Sequence, residues 1–190
     1  MASKRGPGRP RSQTSHDAIL AATMEILIET GYRSLSFQKI AERAGVGRQT
    51  LYRWWRCKAD IVLEAFSRRT AQDIPIPDTG RAKSDLVRLM EDSGVVLKNS
   101  SGPIVLGLLA EAALDDEFAK KFWKRFQVKR REVVKTILSR GIERGELPSD
   151  LDVEFWADLF FGGLLYRLVG RQAPIDRSFG EKLSRLLPVL

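Results

Sequence analysis

Residues 35–54, LSFQKIAERAGVGRQTLYRW, read as two short helices joined by a tight turn. Phe37, Ile40, Ala41 and Ala44 fall at i, i+3, i+4 and i+7, the spacing that gathers apolar groups on one helical face. Gly45 stands where a helix C-terminus calls for positive φ, and Val46 follows as an apolar plug between two helices. After Gly47 the run RQTLYRW turns helical again, with Leu51 and Trp55 one turn apart and facing inward. Arg48, Gln49, Thr50, Tyr52 and Arg53 are then left outside. Those side chains suit a nucleic acid: Arg forks onto guanine, Gln onto adenine, Thr meets a thymine methyl or a phosphate, and a helix N-terminus attracts phosphate. The spacing alone also fits an αα-hairpin with a polar face and no DNA.

Extended to GYRSLSFQKIAERAGVGRQTLYRWWRCKADIV, residues 31–62, the stretch resembles the TetR family of bacterial transcriptional regulators. The resemblance rests on a helix ending IAERAGV, a recognition helix TLYRW and the following Lys58, and it covers about the first third of the chain. RGELPSDLD, residues 144–152, is similar to a segment of many TetR C-terminal domains, a weaker signal. The resemblance implies a DNA-facing set of Ser36, Gln38, Gly47, Arg48, Gln49, Thr50, Tyr52, Arg53, Trp54 and Lys58, with Lys58 on a phosphate. Two positions depart from the family pattern. Gly47 stands where Ser or Thr is frequent, so it caps without offering a hydroxyl, and Cys57 stands where a small capping residue is usual, which predicts a frayed helix start near Lys58.

The chain has 190 residues and a formal net charge of +8, unevenly spread. Through Asp73 there are thirteen Lys and Arg against seven Asp and Glu, and nineteen against seventeen thereafter. The front is the polyanion-facing end. Residues 1–14 read as a disordered basic arm, rich in Gly, Pro and charge. Gly8, Arg9 and Pro10, with Arg11 beside them, resemble the core of AT-hook peptides that lie in a narrow minor groove. The alternative is a tail that adds phosphate attraction without register. One cysteine excludes an intramolecular disulfide and suits a reducing, cytoplasmic setting. The N-terminus lacks the apolar run of a secretory signal, and the best apolar run, 155–169, is interrupted by Asp158 and Arg167. We expect no membrane span.

The expected fold is all-α with about nine helices: a three-helix DNA-binding head plus connecting helix over 15–73, and a C-terminal domain over 81–190. Ser15 or Asp17 caps the first helix, which stops at Gly31, and His16 should be exposed at its start. IPIPDTG, residues 74–80, marks the boundary. With one His and one Cys a metal site is not expected, nor is a cofactor. No GxxxxGK[ST], GxGxxG, HExxH or GxSxG motif is present, which argues against an enzyme. The run Lys120, Lys121, Lys124, Arg125, Lys129, Arg130, Arg131 reads as a solvated face, with a second DNA surface as the other reading.

Met90, Phe122, Phe126, Trp156 and Phe160 fit plain core as well as a cavity. The resemblance to TetR proteins implies a mainly apolar effector pocket among them, and effector binding that moves the linking helix so that two heads no longer fit an operator. Residues 153–171 carry two apolar stripes, one of Trp156 and Phe160, the other of Leu159, Gly162 and Tyr166, and a helix apolar on both sides needs two partners. With Gly163 and the closing helix's Leu183 and Leu187 they predict a four-helix homodimer contact, unless both stripes are buried in one subunit. The resulting expectation is a repressor on a near-palindromic double-stranded operator. A nucleoid-type binder without sequence preference is the alternative.

Overall fold

The computed structural model describes residues 13–70 and 75–188, except for the side chain of Ser100. Arg9 and Arg11 therefore lie outside the described residues. Among those described, all regular structure is helical, in two compact units that divide at about residue 70.

The first unit holds α1 (Gln13–Ser34), α2 (Phe37–Ala44), α3 (Arg48–Trp54) and α4 (Lys58–Thr70). Gln13 and Thr14, expected in the arm, already belong to α1: the Gln13 amide donates to Asp17 at 3.2 Å, one turn on, and steadies an earlier start than Ser15. The helix continues to Ser34 across a non-helical break at Gly31. Ile19, Ile40, Leu51, Ile61 and Val62 are sealed from solvent, so all four helices share one small core. Arg43 grips Glu29 with a two-pronged fork, at 2.9 and 2.8 Å, and reaches Glu25 at 3.4 Å, which ties α2 to α1. Arg43 holds the Glu29 carboxyl below its ordinary range, chiefly through that hydrogen bond. Arg68 does the same to Asp17 and ties α4 to α1.

The second unit begins with α5 (Ala82–Val96), which passes through a π-helical turn, Leu97–Ser101, into α6 (Gly102–Ala112). The helix runs on through this wider turn, which absorbs one extra residue. Likewise α7 (Asp116–Phe122) runs through a second π turn, Trp123–Gln127, into α8 (Val128–Glu143), a single long helix capped by Asp115 as its sequence suggests. Helices α9 (Val153–Gly170) and α10 (Arg177–Ser184) follow, with Asp152 and Asp176 as N-caps. The expected nine helices correspond to these with α7 and α8 taken as one.

The core of this unit gathers Leu86, Met90, Ile137, Leu138, Phe160 and Leu187 with their neighbours. Its closest approaches use glycine. A Cβ on Gly94 of α5 would stand 1.8 Å from the Ile175 carbonyl oxygen, and one on Gly180 of α10 3.0 Å from the Val87 Cα. No side chain fits between α5 and the segment leading into α10.

Candidate functional site

The turn between α2 and α3 is built as the sequence suggests. Ser36 caps α2 through its hydroxyl oxygen, which accepts from the Lys39 N–H at 3.3 Å. Gly45 closes the helix in the left-handed region, φ 64°, and Val46 N–H reaches back to the Ala41 carbonyl at 3.0 Å. Gly47 then starts α3 with extended backbone and no side-chain cap. Leu51 and Trp55 are buried, which fixes the rotation of α3 and leaves Arg48, Gln49, Tyr52 and Arg53 exposed, with Thr50 at the edge. Tyr52 is 57% exposed although its ring rests on Phe37, centroids 4.7 Å apart, so it projects from a fixed base. Gln38 is also exposed and hydrogen-bonds Glu42 at 3.0 Å.

Two assigned residues sit less openly. Trp54 is half-buried, its ring 4.9 Å from His16 and 5.4 Å from Trp55. Lys58 holds its Nζ 4.7 Å from the centre of the Tyr32 ring, a contact that restrains the ammonium without neutralising it. Cys57 donates its Sγ–H to Asp60 Oδ2, 3.8 Å away across the first turn of α4, and this contact caps no backbone N–H.

His16 was expected in solvent and is not there. It stacks on Trp55 at 5.2 Å, and the Glu64 carboxylate takes His16 Nε2 on one oxygen at 2.8 Å and Trp55 Nε1 on the other at 2.9 Å. This brace stands directly behind α3. Its parts come from α1, the end of α3 and α4, so no local pattern announces it.

In the second unit the aromatic set divides. Met90 and Phe160 belong to the main core, with Trp156 packed against it from a half-buried position. Phe122 and Phe126 stack on each other across the second π turn, centroids 5.2 Å apart, outside that core cluster. The two stripes of α9 separate as well. Ala157, Phe160 and Leu164 are buried, whereas Phe155 (55%), Leu159 (36%), Tyr166 (71%) and Val169 (62%) are exposed, with Gly162 among them. The rest of the anticipated dimer seam makes contacts within the subunit. Leu187 is 3% exposed in the subunit's own core, Leu183 packs against that core, and a Cβ on Gly163 would meet the Phe179 ring at 2.8 Å. These three residues serve the docking of α10 within the subunit because the glycine contacts with α5 draw α10 inward. No helix among the described residues is long and apolar enough to cross a membrane.

A family model described as bacterial regulatory proteins, tetR family, matches residues 19–65, and one described as tetracyclin repressor-like, C-terminal domain, matches residues 76–187. The chain is 37% identical over 183 residues to the HTH-type transcriptional regulator YdeS of Bacillus subtilis (strain 168), covering 96% of this chain and 91% of that protein. Among solved structures, the TetR family transcription regulator SCO0332 superposes with a TM-score of 0.77 at 26% identity, covering 90% of this chain and 95% of the other. The regulator FadR from Bacillus subtilis, solved with stearoyl-CoA, gives 0.66 at 23% identity over 90% and 96% of the two chains, a likeness of fold.

Proposed function

The chain belongs to the TetR family of bacterial transcriptional regulators, and from that premise we propose that it is a homodimeric repressor, released from an inverted-repeat operator by a small, mainly apolar effector. One observation carries the DNA reading: Leu51 and Trp55 are buried, which leaves Arg48, Gln49, Tyr52 and Arg53 as a continuous exposed row on a helix braced from behind. Thr50, Gly47, Ser36, Gln38 and Lys58 border that row and serve phosphate contacts and register. Trp54 acts through His16 and Trp55 as support for α3. Arg9 and Arg11 add affinity from the arm.

Dimerisation is assigned to the exposed stripe of α9, Phe155, Leu159, Gly162, Tyr166 and Val169, joined by Leu186, which is 67% exposed. That face supports the reading because apolar groups in a row at helical spacing on a surface mark an interaction site. A two-fold axis through it presents two copies of α3, hence an inverted repeat. The effector region is assigned to Phe122 and Phe126 beside the second π turn, and to Met90, Trp156 and Phe160 on the adjoining core. π turns inside α-helices recur at functional sites, and a fold relative holds an acyl-CoA.

The test is a salt series on a selected operator and on a scrambled duplex of the same length. A sequence-reading repressor retains a preference of about 10³-fold or more at physiological salt, whereas phosphate contacts alone give equal affinities and the same slope on both. Equal affinities would establish the nucleoid-type alternative.

A further inference from the structure

Lys120, Lys121, Lys124, Arg125 and Lys129 of the basic run are exposed, as a solvated face requires, but the last two members of the run are not. Arg131 is buried, and its guanidinium is answered by Glu154 at 2.8 Å and by Asp158, both on α9. Lys135, one turn later, is answered by Glu132 at 2.9 Å and Glu154 at 2.6 Å. Arg130, the residue just before Arg131, has no such answer. It is half-buried, its guanidinium carbon sits 3.6 Å from the centre of the Phe126 ring, and among the described residues no carboxylate pairs with it. Burial pushes its pKa down to about 10, so near pH 7 it remains a cation with part of its hydration removed. A ring face offsets only a fraction of that cost, and an unpaired cation in such a place favours an anion.

A second group stands one turn before it. Gln127 is 8% exposed, inside the π turn, and its carboxamide has no hydrogen-bond partner among the described residues. Below both runs the Phe122 and Phe126 stack, two rings 4% exposed. The order along this face is therefore apolar ring, apolar ring, free amide, free cation.

We propose that Arg130, aided by the Gln127 carboxamide, receives the anionic head of an amphiphilic effector whose apolar body lies along Phe122 and Phe126. This rests on the effector reading above and narrows it: the ligand is an apolar carboxylate, sulfonate or phosphate ester, and its neutral analogue binds poorly. A neutral ligand leaves the cation unpaired, so discrimination comes from the protein's own unmet charge.

The test uses the full-length protein and two probes with one aromatic body: 8-anilinonaphthalene-1-sulfonate, and N-phenyl-1-naphthylamine, which lacks the sulfonate. Fluorescence titration of the wild type should show the anionic probe bound about ten- to a hundredfold more tightly, the range of a charge-assisted contact. Arg130→Met should erase that preference and leave the neutral probe's affinity unchanged. Lys129→Met, removing the same charge from an exposed neighbour, should erase nothing. Gln127→Glu guards against an unfolded Arg130 variant, because it supplies the missing counter-ion: it should raise the melting temperature and weaken the anionic probe alone. If both probes bind the wild type equally, or if Arg130→Met or Gln127→Glu keeps the preference, the anion site is refuted while the apolar pocket stands. If neither probe binds, the pocket reading falls and takes the anion site with it.

Discussion

Leu159→Arg tests the α9 face most directly. Leu159 is 36% exposed on a stripe with Phe155, Tyr166 and Val169, each more than half exposed, and it lies outside the residues that hold the subunit core. In an isolated subunit the substitution therefore costs little. At a two-fold contact it enters twice, setting two guanidinium groups close to each other among apolar neighbours. Like charges or unpaired ions there cost several kcal/mol; taking about 2–3 kcal/mol per chain, the dimer loses about 4–6 kcal/mol, or a factor of about 10³ to 10⁴ in dissociation constant. Sedimentation velocity at about 1 μM should then show monomer where the wild type shows dimer, with unchanged helical circular dichroism and with operator binding strongly weakened. Leu187→Ala supplies the contrast. That side chain is in the core, so its truncation should cost about 2–5 kcal/mol of fold stability and leave the association of still-folded chains alone. A Leu159→Arg protein that sediments as a dimer at 1 μM and binds operator normally would refute the assignment of this face.

Gln49→Ala should weaken operator binding by about 1–3 kcal/mol and relax preference at one base pair; unchanged affinity and preference, measured by binding to a set of single-base operator variants, would remove Gln49 from the reading surface. Deleting residues 1–11 removes Lys4, Arg5, Arg9 and Arg11, so the plot of log K against log salt should flatten by at most about 3–4 units, and an unaltered slope would make the arm a bystander. Gly94→Ala sets two effects against each other. Alanine gains about 1 kcal/mol of helix propensity, yet its Cβ would lie 1.8 Å from the Ile175 carbonyl oxygen, and overpacking costs about 1–3 kcal/mol or more. The clash should win, with a lower midpoint in thermal denaturation; a rise would mean that the Ile175 segment yields freely.

The head was legible because its decisive signals are local. Leu51 and Trp55 stand one turn apart, Gly45 ends α2 at φ 64°, and the polar row of α3 is what remains once the buried pair is set. The brace of His16, Glu64 and Trp55 was not legible, since its three residues come from separate helices and none belongs to a recognisable pattern. The same limit explains the second unit. Phe179, Leu183 and Leu187 have the spacing of a helix that docks on something, and spacing is silent about whether that something is a second chain or α5. Gly94 and Gly180 allow the close approach of α5 and the α10 segment, but in the sequence each is one more glycine in a helix. Arg130 and Arg131 are neighbours in one charge run, and only the positions of Glu154 and Asp158 make the first an unmet cation and the second a buried bridge. A π turn leaves no compositional trace at all.

The two outward surfaces belong to one argument about information. A seven-residue α3 reaches three or four base edges from one groove, and at about 1–3 kcal/mol per good pair a single head offers on the order of 10³ to 10⁵ in discrimination after imperfect contacts are counted. A genome presents roughly 10⁶ or more competing sites, so one head is outnumbered. Joining two heads makes their base-reading free energies add on an inverted repeat, which squares the ratio and brings it above that threshold. The apolar stripe on α9 is the feature of the second unit suited to supplying the joint. On this reasoning a monomeric Leu159→Arg protein should keep weak, salt-sensitive DNA binding, with its preference for operator over scrambled duplex reduced to about the square root of the dimer's, since the α3 surface is intact and only the doubling is gone. If such a monomer retained full preference, the recognition helix would be reading far more sequence than seven residues can reach, and the case for a dimer built on α9 would lose its physical motive.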